Sequence, residues 1–269
     1  MSDDLCLYEV QDGVALLTLN RPQRNNAWNG PLGTAYFDRL TQADADRDVR
    51  TIVVTGAGKS FCPGADFEVL TSIGPRGDDE TARDTRPMIF PATIRKPIVG
   101  AINGACAGLG LVQALLLDVR FASDAAKFTT AFARRGLIGE HSITWTLPRI
   151  VGASVAADLL LSARTFGAAE AKELGVVNHI CPPERVLPEA LAYARDMAAN
   201  VSPASMASIK RQIQRHLTMD LTDALADSNE IMKESLVGPD FNEGVHSYLD
   251  KRPPAFAPLG EGTQFTWMR

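Results

Sequence analysis

An uncharged run of 20 residues, 98–117, constrains the fold of this chain more than any other feature. Its length would allow it to span a membrane as a helix. The run contains four glycines, an asparagine and a glutamine, however, and has no aromatic belt at either end. We therefore expect a buried strand, Ile98–Ile102, that turns through Asn-Gly into a buried helix over 109–117.

Composition excludes several classes of protein. A chain of 269 residues buries about three quarters of its unfolded surface, so we expect a sizeable core. The hydrophobic fraction of 45% excludes general disorder, and a net charge of −5 without a basic block argues against a general nucleic-acid binder. The first residues, MSDDLCLYEV, carry acids and no basic region, which predicts no secretory signal and a cytoplasmic protein.

The cysteines and histidines do not form a metal-binding pattern. The four cysteines stand 44 or more residues apart, which predicts reduced and mostly buried thiols. None of the four histidines has a second ligand at helical metal spacing, so we expect no bound metal.

The order of predicted elements indicates an α/β core followed by helices. Two strands surround Asp12-Gly13, an amphipathic helix follows, and 51–55 reads as a buried strand. A polar segment, 74–86, is the best candidate for a mobile loop. Helices are expected at 153–163, 168–174, 184–200, 203–217, 221–236 and 241–251, with one short strand at 176–180.

Three loops could carry chemistry. The segment TGAGKS at 55–60 resembles the end of a nucleotide phosphate loop, but Val53 replaces the required glycine, which leaves a glycine-rich turn. The Gly-Leu-Gly at 108–110 lacks the third glycine of a dinucleotide fingerprint and still begins a helix, where backbone N–H groups attract anions. The third loop contains Glu140 and His141 immediately before a helix that begins near Ser142.

Four segments together carry a resemblance to a known family. They are LNRPQRNNAWN at 19–29, GKSFCPGAD at 58–66, the segment from KP to D at 96–118, and LPRIVG at 147–152. In this order they resemble the crotonase superfamily, the enoyl-CoA hydratase/isomerase family, over essentially the whole chain. The resemblance implies a crotonase-like spiral of ββα/βαβ repeats with an acyl-CoA site in residues 1–200, and a C-terminal helical oligomerisation region in 201–269. It also implies a homotrimer or a dimer of trimers that acts on an acyl-CoA ester without a separate cofactor, a nucleic acid or a membrane.

The resemblance also assigns roles to particular residues. Backbone N–H groups of Ala65 and Leu109 match the two donors that stabilise a thioester enolate, an arrangement known as an oxyanion hole. Leu109 stands where the family commonly has glycine, so its side chain is expected to enter the pocket. Contacts with coenzyme A or the acyl group are expected from Arg24, Ala27, Gly64, Asp66, Phe67, Gly108, Val112, Phe132, Trp145, Tyr248, Lys251 and Phe256.

The acid/base groups depart from the hydratase pattern of this family. Val112 and Phe132 stand at the positions of the two glutamates that activate water in family hydratases. Glu140 matches the single acid of family isomerases, and burial beside Phe132 and Trp145 is expected to raise its pKa towards neutrality. An enoyl-CoA isomerase that moves a proton through Glu140 is therefore favoured.

Three alternatives stay open at this point. A hydratase (lyase) could use a non-standard set of residues. Glu140 and His141 together could activate water in an acyl-CoA or diketone hydrolase. The chain could also bind acyl-CoA without catalysis, because a fold does not guarantee a function.

Overall fold

The structure, a computed structural model, describes residues 4–72 and 84–260. Most of the predicted loop at 74–86 therefore lies outside the described residues. The strands are β1 (Cys6–Gln11), β2 (Val14–Leu19), β3 (Thr51–Gly56), β4 (Ser60–Cys62), β5 (Ile98–Ile102), β6 (Ala105–Ala107), β7 (Val119–Ser123), β8 (Lys127–Thr129), β9 (Phe166–Gly167) and β10 (His179–Cys181). The helices are α1 (Gly30–Ala45), α2 (Phe67–Ser72), α3 (Leu109–Leu115), α4 (Ile143–Val151), α5 (Ala153–Ser162), α6 (Ala168–Glu173), α7 (Val186–Asn200), α8 (Pro203–His216), α9 (Leu221–Val237) and α10 (Pro239–Leu249).

Two sheets form the core. The larger sheet has the strand order β1-β2-β3-β5-β7-β10, and the smaller has the order β4-β6-β8-β9. In the larger sheet β1 and β2 form an antiparallel hairpin through Asp12 and Gly13, both at positive φ, and every other pair is parallel. A chain that moves repeatedly from one sheet to the other with helices between them forms the expected α/β spiral, which the structure confirms.

The uncharged run 98–117 forms three short elements. They are β5, which is wholly buried, the unpredicted strand β6, and the seven-residue helix α3. Asn103, in the turn between the two strands, donates from Nδ2 to the carbonyls of Gly56 and Gly58 at 2.9 Å each. Among the described residues there is no helix long and apolar enough to cross a membrane.

Helices cover both faces of the larger sheet. On one side α1 buries Leu32, Tyr36 and Leu40 in the main core, which also contains the inward side chains of β2 and β3. On the other side α7 buries a row of alanines, including Ala190 and Ala194, in a second core. Small side chains at helical spacing allow a helix to approach a sheet closely.

The C-terminal helices are attached to the core through a buried lysine on α8. Lys210 Nζ lies 2.7 Å from Asp118 Oδ2 and 3.0 Å from the carbonyl of Lys96, where β5 begins. Asp118 Oδ2 also accepts the N–H of Ile98 at 2.7 Å. The helices predicted from the sequence are present, and their ends differ by about two residues.

One short strand differs in its bounds from the sequence prediction, and the state of the cysteines agrees with it. The short strand predicted at 176–180 is β10, which begins later because the N–H of Val177 donates to the carbonyl of Ala171 in α6. All four cysteines are free and buried, as expected.

Candidate active site

A cavity of about 450 Å³ lies where the chain leaves β4, β6 and β8. These strands are parallel neighbours, so their carboxyl ends meet at one edge of the smaller sheet, a common location for ligand sites. The cavity is lined by Gln23, Arg24, Asn25, Ala27, Pro63, Gly64, Ala65, Asp66, Phe67, Leu70, Gly108, Leu109, Ala131, Phe132, Arg135, Leu137 and Glu140. Ten of the sixteen residues expected at the site are among them.

The segment that leads into α1 is held by Asn26, which is fully buried. Its Nδ2 donates to the carbonyls of Ala57 and Ser60 at 2.9 and 2.8 Å, and its Oδ1 accepts the N–H of Arg21 at 2.8 Å. Asn26 has a φ of 61°, a conformation that asparagine tolerates better than most residues. This side chain therefore joins the loop that carries Arg24 to the turn between β3 and β4.

A backbone bridge joins that loop to the loop after β4. The N–H of Trp28 donates to the carbonyl of Gly64 at 2.7 Å, and the N–H of Asp66 donates to the carbonyl of Trp28 at 2.8 Å. In this parallel bridge the groups of Gly64 and Asp66 are used, whereas the N–H of Ala65 points away from Trp28.

Glycines bring the loops after β4 and β6 into direct contact. A Cβ atom at Gly64 would lie 3.1 Å from the carbonyl oxygen of Ala107, and Gly64 and Gly108 have φ values of 109° and 49°. A Cβ atom at Gly110 would lie only 2.0 Å from the carbonyl oxygen of Cys62. The first turn of α3 therefore packs directly on the backbone at the end of β4. A residue larger than glycine at position 110 would increase the distance between α3 and β4.

Two backbone donors in the cavity wall are unpaired. The N–H groups of Ala65 and Leu109 have no acceptor within the part of the chain that the structure describes. Leu109 is the first residue of α3, and the first N–H groups of a helix have no partner inside it. The Leu109 side chain also lines the cavity, as expected from a leucine at this position.

Asp66 and Arg24 each form an ion pair with a side chain of opposite charge. Asp66 is buried and pairs with Arg21 Nη2 at 3.0 Å. Burial by itself would raise the pKa of Asp66, but the N–H of Glu68 and the Arg21 guanidinium outweigh it, and the pKa is lowered. Arg24 forms an ion pair with Glu68 on α2, at the mouth of the cavity.

Glu140 is the other carboxylate that lines the cavity, and it has no arginine partner among the described residues. Its side chain is 33% exposed, and its Oε2 lies 4.0 Å from Nε2 of His141. Burial lowers the pKa of His141 below its ordinary value of 6.5, although the Glu140 charge partly opposes this, so the imidazole is neutral at pH 7. His141 itself does not line the cavity.

Two predicted lining residues, Val112 and Trp145, lie elsewhere. Val112, a residue of α3, is 2% exposed and its side chain packs in the main core. Trp145 is 44% exposed, with the Arg149 guanidinium 3.9 Å from its ring centre. Helix α4 buries Ile143 and Leu147 instead, and a residue two positions from each lies about 200° around the helix. The predicted burial of Glu140 beside Trp145 is therefore wrong.

The three site residues predicted near the C-terminus, Tyr248, Lys251 and Phe256, do not line this cavity either. Tyr248 and Phe256 line a separate cavity of about 920 Å³ among the C-terminal helices, and Lys251 is exposed after α10. The reason is that α10 packs against α9, away from the edge of the smaller sheet.

The sequence reasoning missed Arg21, Asn26 and Arg135. The first two belong to the segment 19–29, but only contacts across the fold show that they hold the loop. Arg135 lies beside Arg134 in a charged loop, and no sequence pattern separates the two. Within residues 4–72 and 84–260, no group of three or more His, Cys, Asp or Glu side chains is arranged to hold a metal ion.

Comparison with known proteins agrees with this geometry. The sequence profile of the enoyl-CoA hydratase/isomerase family matches residues 9–258. A 1,2-epoxyphenylacetyl-CoA isomerase from Escherichia coli is 33% identical over 94% of this chain and 98% of its own length. The crystal structure of a probable enoyl-CoA hydratase/isomerase from Mycobacterium abscessus is 32% identical, covers 94% of this chain and 99% of that one, and superposes with a TM-score of 0.84. An enoyl-CoA hydratase structure from Mycobacterium marinum is 47% identical over 78% of this chain and 97% of its own, with a TM-score of 0.68.

The chain therefore belongs to the enoyl-CoA hydratase/isomerase family. Its relatives are named after both hydration and isomerisation. The choice between these reactions depends on the residues of the cavity.

Proposed function

We propose that the protein isomerises the double bond of an enoyl-CoA ester, with Glu140 as the proton carrier. The observation that carries this proposal is the composition of the cavity wall: two unpaired backbone N–H groups and one carboxylate without an arginine partner among the described residues. This set suits a reaction that needs a stabilised enolate and a single base.

In the proposed reaction the thioester oxygen accepts hydrogen bonds from the N–H groups of Ala65 and Leu109. Glu140 removes a proton from the α-carbon of a 3-enoyl ester, and the electron pair moves into a dienolate whose charge lies on that oxygen. Glu140 then returns the proton to the γ-carbon, which yields the 2-enoyl ester. Protons and electrons balance, and no cofactor beyond the coenzyme A ester is needed.

The coenzyme A part would enter beside the loop 23–27 in this proposal. Arg24 could exchange Glu68 for a phosphate group, since a charge-assisted bond to phosphate is as favourable as one to a carboxylate. Gly64, Asp66, Phe67 and Gly108 would contribute backbone surface along the same path, together with the carbonyl of Ala27.

The alternatives have less support from the cavity. The two carboxylates that hydration would need are both absent from their expected positions. Val112 stands at one position and is in the core, and Phe132 presents an aromatic ring at the other. Hydrolysis by Glu140 and His141 would need the imidazole near the substrate, and His141 does not line the cavity. A binder without catalysis would not require a carboxylate without an arginine partner in the cavity that contains the two donors.

The test is to offer purified protein a 2-enoyl-CoA and a 3-enoyl-CoA and to follow the absorbance of the conjugated thioester. We expect conversion of the 3-enoyl ester, and a fall in kcat of about a hundredfold or more in Glu140→Gln. Glu173→Gln, a surface substitution on α6, is the matched control and should retain the activity.

An undiminished rate in Glu140→Gln would contradict the role of Glu140. Loss of activity in His141→Gln together with release of free coenzyme A would favour hydrolysis. Binding of both esters without turnover would favour the binding protein.

We also propose that copies of this chain associate through the C-terminal helices, as a homotrimer or a dimer of trimers. The support is an unusual amount of exposed apolar surface on α8, α9 and α10 and on Leu217, which follows α8. The contributing residues are Ile209, Ile213, Leu217, Leu221, Leu225, Met232, Leu236, Val237, Phe241, Val245, Tyr248 and Leu249. In such an assembly Tyr248, Lys251 and Phe256 could take part in binding at the site of a neighbouring copy.

A further inference from the structure

The cavity contains an arginine that the proposed reaction does not use. Arg135 lines the cavity together with Phe132 and Leu137, on the loop that also carries Glu140. In the described part of the chain its guanidinium forms no ion pair with a carboxylate. Its side-chain contacts are a 3.3 Å hydrogen bond from Nη1 to the carbonyl of Ala131 and a cation–π contact with Phe67 at 5.7 Å. The Nε and Nη2 groups therefore keep free donors.

The other arginines near the cavity are already neutralised or point elsewhere. Arg21 pairs with Asp66, and Arg24 pairs with Glu68. Arg134, the neighbour of Arg135, donates from Nε to the carbonyl of Ser162 at 3.1 Å and does not line the cavity. Among the described arginines at this site, Arg135 alone presents an uncompensated charge to a ligand.

The position of the guanidinium is set by the local backbone. Arg135 ends a short 3-10 turn, Ala133–Arg135, which closes at Gly136 with a φ of 71°. The N–H groups of Arg135 and Leu137 both donate to the carbonyl of Phe132, at 2.9 and 3.1 Å. A turn fixed in this way, with the side chain held between Ala131 and Phe67, reduces the entropy lost when a ligand binds.

We propose that Arg135 is a specificity-determining residue that selects acyl groups carrying a second carboxylate, so that the preferred ligands are coenzyme A monothioesters of dicarboxylic acids. The inference rests on the acyl-CoA binding of the proposed function and names its substrate class. The planar guanidinium forms two parallel hydrogen bonds with a carboxylate, which a methyl group cannot replace. Arg135 and Glu140 lie on the same loop and line the same cavity as Ala65 and Leu109, so an acyl group whose α- and γ-carbons meet Glu140 would extend along the loop that carries Arg135.

Binding of saturated esters tests this inference without any turnover. The probes are straight-chain acyl-CoAs of four, six and eight carbons, each prepared with a terminal methyl group and with a terminal carboxylate, and titrated by calorimetry. At the chain length that spans the cavity we expect the carboxylate to bind about tenfold more tightly than the methyl group, and added salt to reduce this preference because Arg135 is exposed.

Three variants separate a specific contact from a structural effect. Arg135→Met should lose the preference and still bind the methyl-terminated esters as the wild type does. Arg135→Lys should retain part of the preference, since it keeps the charge without the planar geometry. Arg134→Met is the matched control and should retain the full preference.

Each contrary result overturns the inference in a recognisable way. Equal binding of methyl and carboxylate esters at every length would show that Arg135 does not select the acyl group. Weaker binding of all esters and of free coenzyme A in Arg135→Met would instead assign the arginine to a coenzyme A phosphate. Failure of every ester to bind would overturn acyl-CoA binding itself, and with it this inference, whereas a loss of isomerisation alone would leave the binding preference intact.

Discussion

At the residue scale, the candidate site combines main-chain N–H groups with the side chains of Glu140 and Arg135, to which we assign proton transfer and acyl-group selection. Ala65 and Leu109 contribute N–H groups, so their side chains can vary without loss of the donors. The roles proposed for Glu140 and Arg135 need their side chains, so we expect a single replacement at either position to change what the cavity can do.

Buried thiols also make the stability of the folded protein depend on pH. Burial raises the pKa of Cys6 from 9.0 to about 12, with Arg39 opposing in part. A thiol whose pKa is raised in the folded state contributes stability that is complete below about pH 9 and is lost as the pH rises towards 12. Cys62, beneath the loop that carries Ala65, has a pKa of about 12 for the same reason.

We expect Cys6→Ala to remove part of this alkaline sensitivity. Between about pH 8 and pH 10.5 the free energy of unfolding of the wild type should fall by about 2 kcal/mol more than that of the variant. Urea unfolding at several pH values measures both. Parallel pH profiles for the two proteins would contradict the assigned burial effect, whatever their absolute stabilities.

At the element scale, the site depends on how closely α3 approaches β4. Gly110 packs on the carbonyl of Cys62, and Gly64 packs on Gly108, so two loops that are distant in the sequence share one wall. The two proposed oxyanion donors belong to these loops, one to each. Their separation is therefore determined by backbone contacts and not by the side chains of the donors.

Gly110→Ala tests this dependence. The new Cβ atom would lie 2.0 Å from the carbonyl oxygen of Cys62, so α3 must shift away from β4. We expect a loss of stability of about 3 kcal/mol by overpacking, and a fall in kcat of about tenfold or more where the fold persists.

Gly167→Ala is the control for that experiment. Its Cβ atom would have Lys127 Nζ as nearest neighbour at 3.8 Å, and Gly167 has an ordinary φ of −91°. If both variants had the same thermal unfolding temperature and the same kcat, the contact between α3 and β4 would not determine the geometry of the donors.

At the scale of the whole molecule, the C-terminal helices are joined to the core on one side and are apolar on another. Lys210 connects α8 to Asp118 and to the start of β5. On α9, by contrast, Leu225 and Met232 are 59% and 57% exposed. Apolar side chains exposed at seven-residue spacing indicate a helix that packs against another surface.

Sedimentation measures the assembly directly. We expect a particle whose mass is three or six times the chain mass of 29.0 kDa. The double variant Leu225→Glu and Met232→Glu should dissociate it, because two charges would be buried in the contact. Thr222→Glu, at an exposed polar position of α9, should leave the mass unchanged. A wild-type mass of 29.0 kDa at micromolar concentration would contradict the proposed assembly.

Much of the fold could be predicted because periodicity and turn residues act locally. The hairpin at Asp12-Gly13, the amphipathic α1 and the stretch of helices after 153 follow from patterns within a few residues. The three-residue strands β4, β6 and β8 could not be predicted in this way. They are too short to show an alternation, and they exist because each pairs with a neighbour distant in the sequence.

The residues of the candidate site likewise differ in whether the sequence alone could identify them. Ala65 and Leu109, inside quoted motifs, and Glu140, in the loop before the helix near Ser142, could be selected from the sequence, and all three line the cavity. Trp145 could not be placed, since its position depends on which face of α4 is buried. Tyr248, Lys251 and Phe256 follow a helix whose packing partner no local pattern identifies.

By itself the sequence determined the order of elements, the family resemblance and the absence of two hydratase carboxylates, because these depend on residue identity and local spacing. Only the tertiary structure decided that a second strand, β6, would stand in the uncharged run 98–117 between β5 and the helix that the sequence predicts from Leu109. It also decided that Arg135 would face the cavity while Arg134 faces α5. The physical reason is that a donor or a charge is unpaired only when no neighbouring group in the fold bonds with it. Those neighbouring groups come from segments far apart in the chain.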